Sequence, residues 1–264
     1  MATETKIWGE AEVRRGNLAL RRALRAIDGR GGRILEAGCG AGRFIRTIKR
    51  LRPDLVAYGA DVSEAAIRRA RTYDDGVTYD VGSLSHLPYP DASFDMVVLF
   101  DVLEHVENPC TALNELARVL APGGLFHGLI PCEGQVGTLH WLLWKLDFGG
   151  DLKQRHGQHV QRFRLRDVDD ELPKHGIAIR DRSYSMHPAG QLKDILSYVA
   201  QEEWFRRQAA RPVTGPIVAR LHHLAELSLW PVAYLESGTL ARSPAGAVVV
   251  HVTGERVTGS AAPC

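Results

Sequence analysis

Three glycines spaced two apart, Gly38, Gly40 and Gly42, follow the apolar run ILEA and open a segment of helical spacing. Glycines so placed let the backbone approach a ligand closely, because no Cβ holds it off. A dinucleotide-binding turn, G-x-G-x-x-G, needs its third glycine where Arg43 stands, so the spacing argues against NAD or FAD. After a second apolar run, VAYGA, comes Asp61 at a strand end, where a carboxylate suits the two hydroxyls of a ribose. Glycine turn and acid together point to a nucleoside ligand without a pyrophosphate.

Four segments in order, ILEAGCGAGRF, GADVS, VGSLSHLPYPDASFDMVV and LARVLAPGGLF, carry a wider likeness over about residues 30 to 131. In them the chain resembles the class I S-adenosylmethionine-dependent methyltransferases. The resemblance implies S-adenosylmethionine as cofactor, with Glu36 near its ammonium group and Gly38, Gly40 and Gly42 making room for its amino acid portion. Asp61 is expected to hold the ribose, Val62 to pack on the adenine, and Gly82, Ser83 and Leu84 to lie beside that ring. Many relatives carry an aspartate where Ser83 stands, and a serine oxygen accepts a hydrogen bond more weakly. Phe100 and Asp101 are expected to border both the cofactor and the substrate opening.

Methyl transfer from a sulfonium is an in-line displacement at an activated carbon, so alignment and exclusion of water can suffice. A base is needed chiefly where a hydroxyl or carbon acid must lose a proton. Histidine suits that task at neutral pH. His159 ranks first and His156 second, both in KQRHGQHVQRF, while His105 in FDVLEHV follows the fourth strand. There is no HExxH or comparable ligand cluster, and no metal is expected. The expected reaction is methylation of a small, hydrophobic or aromatic acceptor, foremost on oxygen, as in natural-product biosynthesis. The alternatives are an N- or C-methyltransferase, or a cofactor-binding enzyme of the same fold that catalyses a cyclisation or rearrangement without methylation.

These residues have to be held by an alternation of strands and helices. RILEA, VAYGA, VTYDV, DMVVLF and LFHGLI are strand-like, with helical runs between them, and such βα alternation predicts an α/β, doubly wound, mostly parallel sheet. The resemblance extends this to a Rossmann-like sheet of seven strands, the last antiparallel, with helical lid insertions. An N-terminal helical segment is expected within residues 1–30. The methyltransferase domain would then span 31–254, with insertions at about 132–165 and 187–244, and a flexible tail would occupy 255–264. Pro122-Gly123-Gly124 is read as a helix stop that turns into the next strand.

A net charge of +2 gives no strong attraction to nucleic acid, and no N/D-P-P-Y/F motif follows the fourth strand, so no nucleic-acid partner is expected. Four cysteines without C-x-x-C spacing, and a start without a signal-peptide pattern, fit a cytoplasmic protein. The insertions hold LHWLLWKLDF, with Trp141, Trp144 and Phe148 at helical spacing, and later Trp204, Phe205, Trp230 and Tyr234. They are expected to cover an apolar substrate, or to meet a membrane surface or a second copy of the chain.

Overall fold

The computed structural model describes residues 17–147, 153–212 and 214–257. Helix α1 (Leu18–Ala26) is followed by β1 (Arg33–Ala37), α2 (Arg43–Leu51), β2 (Val56–Asp61), α3 (Glu64–Ala70), β3 (Val77–Val81), β4 (Phe94–Phe100) and α4 (Pro109–Val119). Then come β5 (Leu120–Pro131), α5 (Leu139–Lys145), α6 (Leu165–Lys174), β6 (Ile177–Ser185), α7 (Pro188–Val199), α8 (Glu203–Ala209), α9 (Gly215–Thr239) and β7 (Val249–Arg256). Asn17 caps α1, its Oδ1 accepting from Leu20 N at 3.0 Å. Residues 1–16, Phe148 and 258–264 lie outside the described residues.

The seven strands form one sheet in the order β3-β2-β1-β4-β5-β7-β6. β1 pairs in parallel with β2 and β4, and β2 with β3. β6 and β7 run antiparallel, as their flanking bonds require: Val257 N donates to Gly176 O at 2.8 Å, and Val248 N to Met186 O at 3.3 Å. Ile34, Leu35, Met96, Val97, Val98 and Leu99 are buried in β1 and β4, which explains why these strands read as unbroken apolar runs rather than alternating ones. The chain winds outward from β1 through β2 and β3, then resumes on the other side with β4. Between β1 and β4 the order reverses, and the carboxyl ends of strands at such a point leave a crevice.

One boundary differs from expectation. Helix α4 ends at Val119, and Pro122-Gly123-Gly124 lies within β5 as a bulge: Phe94 pairs with Leu120, but Met96 pairs with Leu125. Gly123 takes up the left-handed turn at φ 74°, which a residue with a Cβ adopts only with strain.

The chain divides into two compact units. The first holds the chain up to Ile130, Arg166–Arg182 and the segment from His251 on; the second holds Pro131–Leu165 and Ser183–Val250. In the second unit α7 and α9 run antiparallel: His222 Nε2 meets Leu196 O at 2.9 Å, and Ser197 Oγ donates to Glu226 Oε1 at 2.7 Å. Further along, the Glu236 carboxylate accepts from Ala189 N at 3.0 Å and so caps α7, whose own N-cap, His187, supplies no side-chain acceptor. Among the described residues no helix is long and apolar enough to cross a membrane.

Candidate cofactor site

The glycine turn closes the gap between β1 and α2. Gly38 N and Cys39 N both donate to Ala60 O, at 2.8 and 3.0 Å, which ties the turn to the end of β2. All three glycines have positive φ. A Cβ on Gly38 would stand 2.5 Å from Val102 Cγ2, and one on Gly42 2.5 Å from the Tyr79 hydroxyl. At Gly40 the corresponding direction is open. The turn therefore packs tightly at both ends and leaves clearance in the middle.

Gly42 sits at the N-cap of α2 and offers no capping side chain. That role falls to Glu36 on β1, whose Oε2 accepts from Ile45 N at 2.7 Å. Glu36 is buried; burial pushes its carboxyl up to about 8 against that hydrogen bond, and the nearby negative charge of Asp61 pushes it the same way. The expected ammonium partner is thus also an internal fastening of the turn.

Asp61 terminates β2. Its Oδ2 accepts from Gly40 N at 2.7 Å and its Oδ1 from Ser63 N at 2.9 Å. Each carboxylate oxygen has a second acceptor position, so two sites are left for a pair of neighbouring hydroxyls. Ser63 also caps α3, its Oγ accepting from Ala66 N at 3.3 Å.

Around this acid lies a cleft of about 470 Å³, within the roughly 300–1,000 Å³ of small-ligand sites. Among the expected residues, Gly38, Asp61, Val62, Ser83, Leu84, Asp101 and His105 line it. Val62 is largely exposed, an apolar side chain presented to the cleft. Ser83 Oγ accepts from Ser85 N at 3.2 Å, and Asp101 holds a left-handed φ of 53° at the rim. Gly82, packed so that a Cβ would meet Pro88 Cδ at 2.5 Å, shapes the adjoining turn from behind. Phe100 is buried and stacks on Phe44, ring centroids 4.5 Å apart, which places it behind the cleft rather than in its wall.

Sequence reasoning missed the opposite wall, built from Val102, Val106, Glu107 and Asn108, and also Ser85. Asn108-Pro109 was the available signal: Asn108 Oδ1 accepts from Thr111 N at 3.2 Å and Pro109 starts α4. The fit to a nucleoside amino acid rests on these features together: clearance over Gly40, a diol-sized pair of acceptors on Asp61, and an apolar side chain beside it.

The second unit carries its own polar cluster. Lys153 Nζ lies 2.7 Å from Glu133 Oε1 and 2.8 Å from Asp194 Oδ2. His159 Nδ1 meets Glu133 Oε2 at 3.0 Å, and His140 Nε2 meets Asp194 Oδ2 at 3.1 Å. Burial alone would raise both carboxyls. The His159 hydrogen bond and the Lys153 charge outweigh it at Glu133 and hold that group at about 2; His140 and Lys153 do the same for Asp194, also at about 2. An ionised Glu133 can only accept, which makes His159 Nδ1 the donor of that hydrogen bond. His156 belongs to the turn Lys153–Gly157, and its side chain lies outside the described residues.

Part of this chain is similar to known proteins. Residues 35–127 match the family described as "Methyltransferase domain". The 27-O-demethylrifamycin SV methyltransferase of Amycolatopsis mediterranei is 37% identical over 100 residues, 36% of this chain and 36% of that protein. Methyltransferase GfsG of Streptomyces halstedii is 35% identical over 100 residues, again 36% of each. The match thus spans little more than a third of the curated relatives' length. Among solved structures, the cyclase SpnF superposes with a TM-score of 0.58 at 19% identity, over 97% of this chain and 84% of that one, a likeness of fold. Residues 35–127 of the chain, the stretch that holds the glycine turn and Asp61, are thus similar to methyltransferase domains, and the cofactor that goes with that likeness is S-adenosylmethionine.

Proposed function

We propose that this chain moves the methyl group of S-adenosylmethionine onto a small, hydrophobic or aromatic acceptor, at oxygen in preference to nitrogen or carbon. The observation that carries the reading is the Asp61 carboxylate, pinned by Gly40 N and Ser63 N at the cleft, with an acceptor position left on each oxygen. Asp61 would hold the ribose, the Gly38–Gly42 turn the amino acid portion, and Val62 and Leu84 the adenine. The cofactor brings a methyl group already activated on sulfur, so the protein's own share is orientation and a dry site.

Oxygen is favoured by the relative whose name specifies an O-methyl position, and the same name supports a natural-product acceptor. A hydroxyl has a proton to lose, and His159 is our choice to accept it at Nε2 while Glu133 fixes the ring from the other side. His105 and His156 stand behind it. Incubation of the protein with S-adenosylmethionine and a panel of hydroxylated aromatic and macrocyclic compounds tests the reading. Equal amounts of S-adenosylhomocysteine and a methyl ether are expected.

A second reading has one observation in its favour, that a cyclase shares the fold. Conversion of an acceptor with no S-adenosylhomocysteine formed would support cyclisation or rearrangement and overturn the transferase reading.

A further inference from the structure

Helix α9 is apolar on both sides. One side packs against α7, while the other carries Ile217, Leu221, Leu224, Leu227, Val232 and Leu235, each between 51% and 65% exposed. Spacings of three and four residues put most of them on one stripe from Ile217 to Leu235, about 27 Å of helix at 1.5 Å per residue. An apolar stripe of that length marks an interaction surface rather than ordinary scatter of exposed leucines. Trp230 at its edge is half-exposed and stacks on Tyr234 at 5.6 Å, and Trp204 on α8 is exposed.

The charges around this stripe are sorted by sign. Arg206, Arg211, Arg220 and Arg242 are exposed at its start and just beyond its end. The acids of the same segment are turned inward or paired: Glu226 binds Ser197, Glu236 caps α7, Glu202 meets Arg155 at 3.1 Å, and Glu203 holds Arg207 at 2.5 Å. We infer that α9 and its basic flanks form a docking surface for an anionic lipid bilayer, with the apolar stripe and the indoles entering the headgroup boundary and the arginines meeting lipid phosphates. A second copy of the chain is the poorer occupant. Two α9 stripes facing each other antiparallel would set Arg211 against Arg242 of the other copy, and a parallel pairing would set Arg220 against Arg220. A lipid surface suits both halves of the pattern at once. The inference does not depend on which acceptor is methylated.

Sedimentation of the full chain with vesicles tests it. Vesicles of phosphatidylcholine mixed with phosphatidylglycerol are expected to carry the protein down, pure phosphatidylcholine to do so far less, and added salt to weaken the association. Arg211→Glu combined with Arg220→Glu should reduce binding by about tenfold or more. Leu221→Asp combined with Leu224→Asp should do the same, and since these side chains are exposed their far-ultraviolet circular dichroism should match the parent. The lipid and salt dependence of the unaltered protein stands as a test without any variant. Failure to bind either vesicle overturns the inference. So does a dimer, seen by light scattering, that the Leu221→Asp, Leu224→Asp variant splits.

Discussion

Glu36 Oε2 accepts the Ile45 amide proton at 2.7 Å, so a strand residue caps the helix that the glycine turn cannot cap for itself. Gly42 is held at φ 79°, where a capping side chain is not tolerated without strain, and the missing acceptor comes from nine residues upstream. The glycine turn and the start of α2 therefore depend on one carboxyl. The folded chain keeps a proton on Glu36 up to about pH 8, whereas the unfolded chain releases it near the ordinary 4.5. Between those values the folded form binds more protons, and stability falls as pH rises, by at most about 1.4 kcal/mol per pH unit. Glu36→Gln should remove that slope, read as the difference between parent and variant in denaturant titrations across the window. Glu36→Ala, which leaves Ile45 N without its acceptor, should cost about 1–3 kcal/mol.

Asp61→Ala addresses ligand binding rather than folding. A side chain that is only half-buried is removed, so the fold should persist. Hydrogen bonds to an ionised acceptor contribute roughly 1.5–3 kcal/mol, and the same substitution frees the Gly40 amide that Asp61 fastens. Affinity for S-adenosylhomocysteine should drop by about tenfold or more in calorimetric titration. Asp61→Asn, which keeps one acceptor oxygen, should lie between. Unchanged affinity in Asp61→Ala would remove this residue from the site.

What could be read in the sequence and what could not divide along a physical line. β1, β2 and the Asp61 corner were legible because their signals are local: an apolar run and a strand-end acid. The Pro122-Gly123-Gly124 bulge was misread because the same residues end helices and kink strands. Glu36 as a cap was invisible, since its partner lies across a turn whose path depends on three left-handed glycines. The Lys153–Asp194 contact joins residues 41 positions apart (194 − 153), beyond any periodic pattern. An exposed apolar stripe on α9 was hidden for another reason: a helix rich in leucine all round reads as core, and only burial separates its two faces.

Lys153 is the hub of the second unit, set between two carboxylates that it helps to hold at about 2. Lys153→Met leaves Glu133 and Asp194 buried without their shared cation, and breaking a buried ion pair from one side costs about 3–5 kcal/mol. A lower midpoint in denaturant is expected, with little change in cofactor affinity, since all the cleft residues belong to the first unit. Acid should act on the same cluster. The unfolded carboxyls titrate near 4.5 and 3.8, the folded ones near 2, so their contribution is complete above the higher pair and is lost as pH falls toward the lower. Thermal melts between about pH 5 and 2 should show a steeper decline for the parent than for a Glu133→Gln variant.

His159→Ala separates a base from a bystander. Its Nδ1 is bound to Glu133, which holds the ring in a fixed orientation, as general-base catalysis requires. Removing it should lower turnover with a hydroxyl acceptor by about 10²-fold or more, while calorimetry shows the cofactor bound as before. Glu133→Gln is the companion variant. An amide can face His159 Nδ1 with either its oxygen or its NH₂, so the tautomer is no longer imposed, and turnover should fall less than in His159→Ala. An unaltered rate in His159→Ala would exclude it as the base and move the test to His105, which lines the cleft.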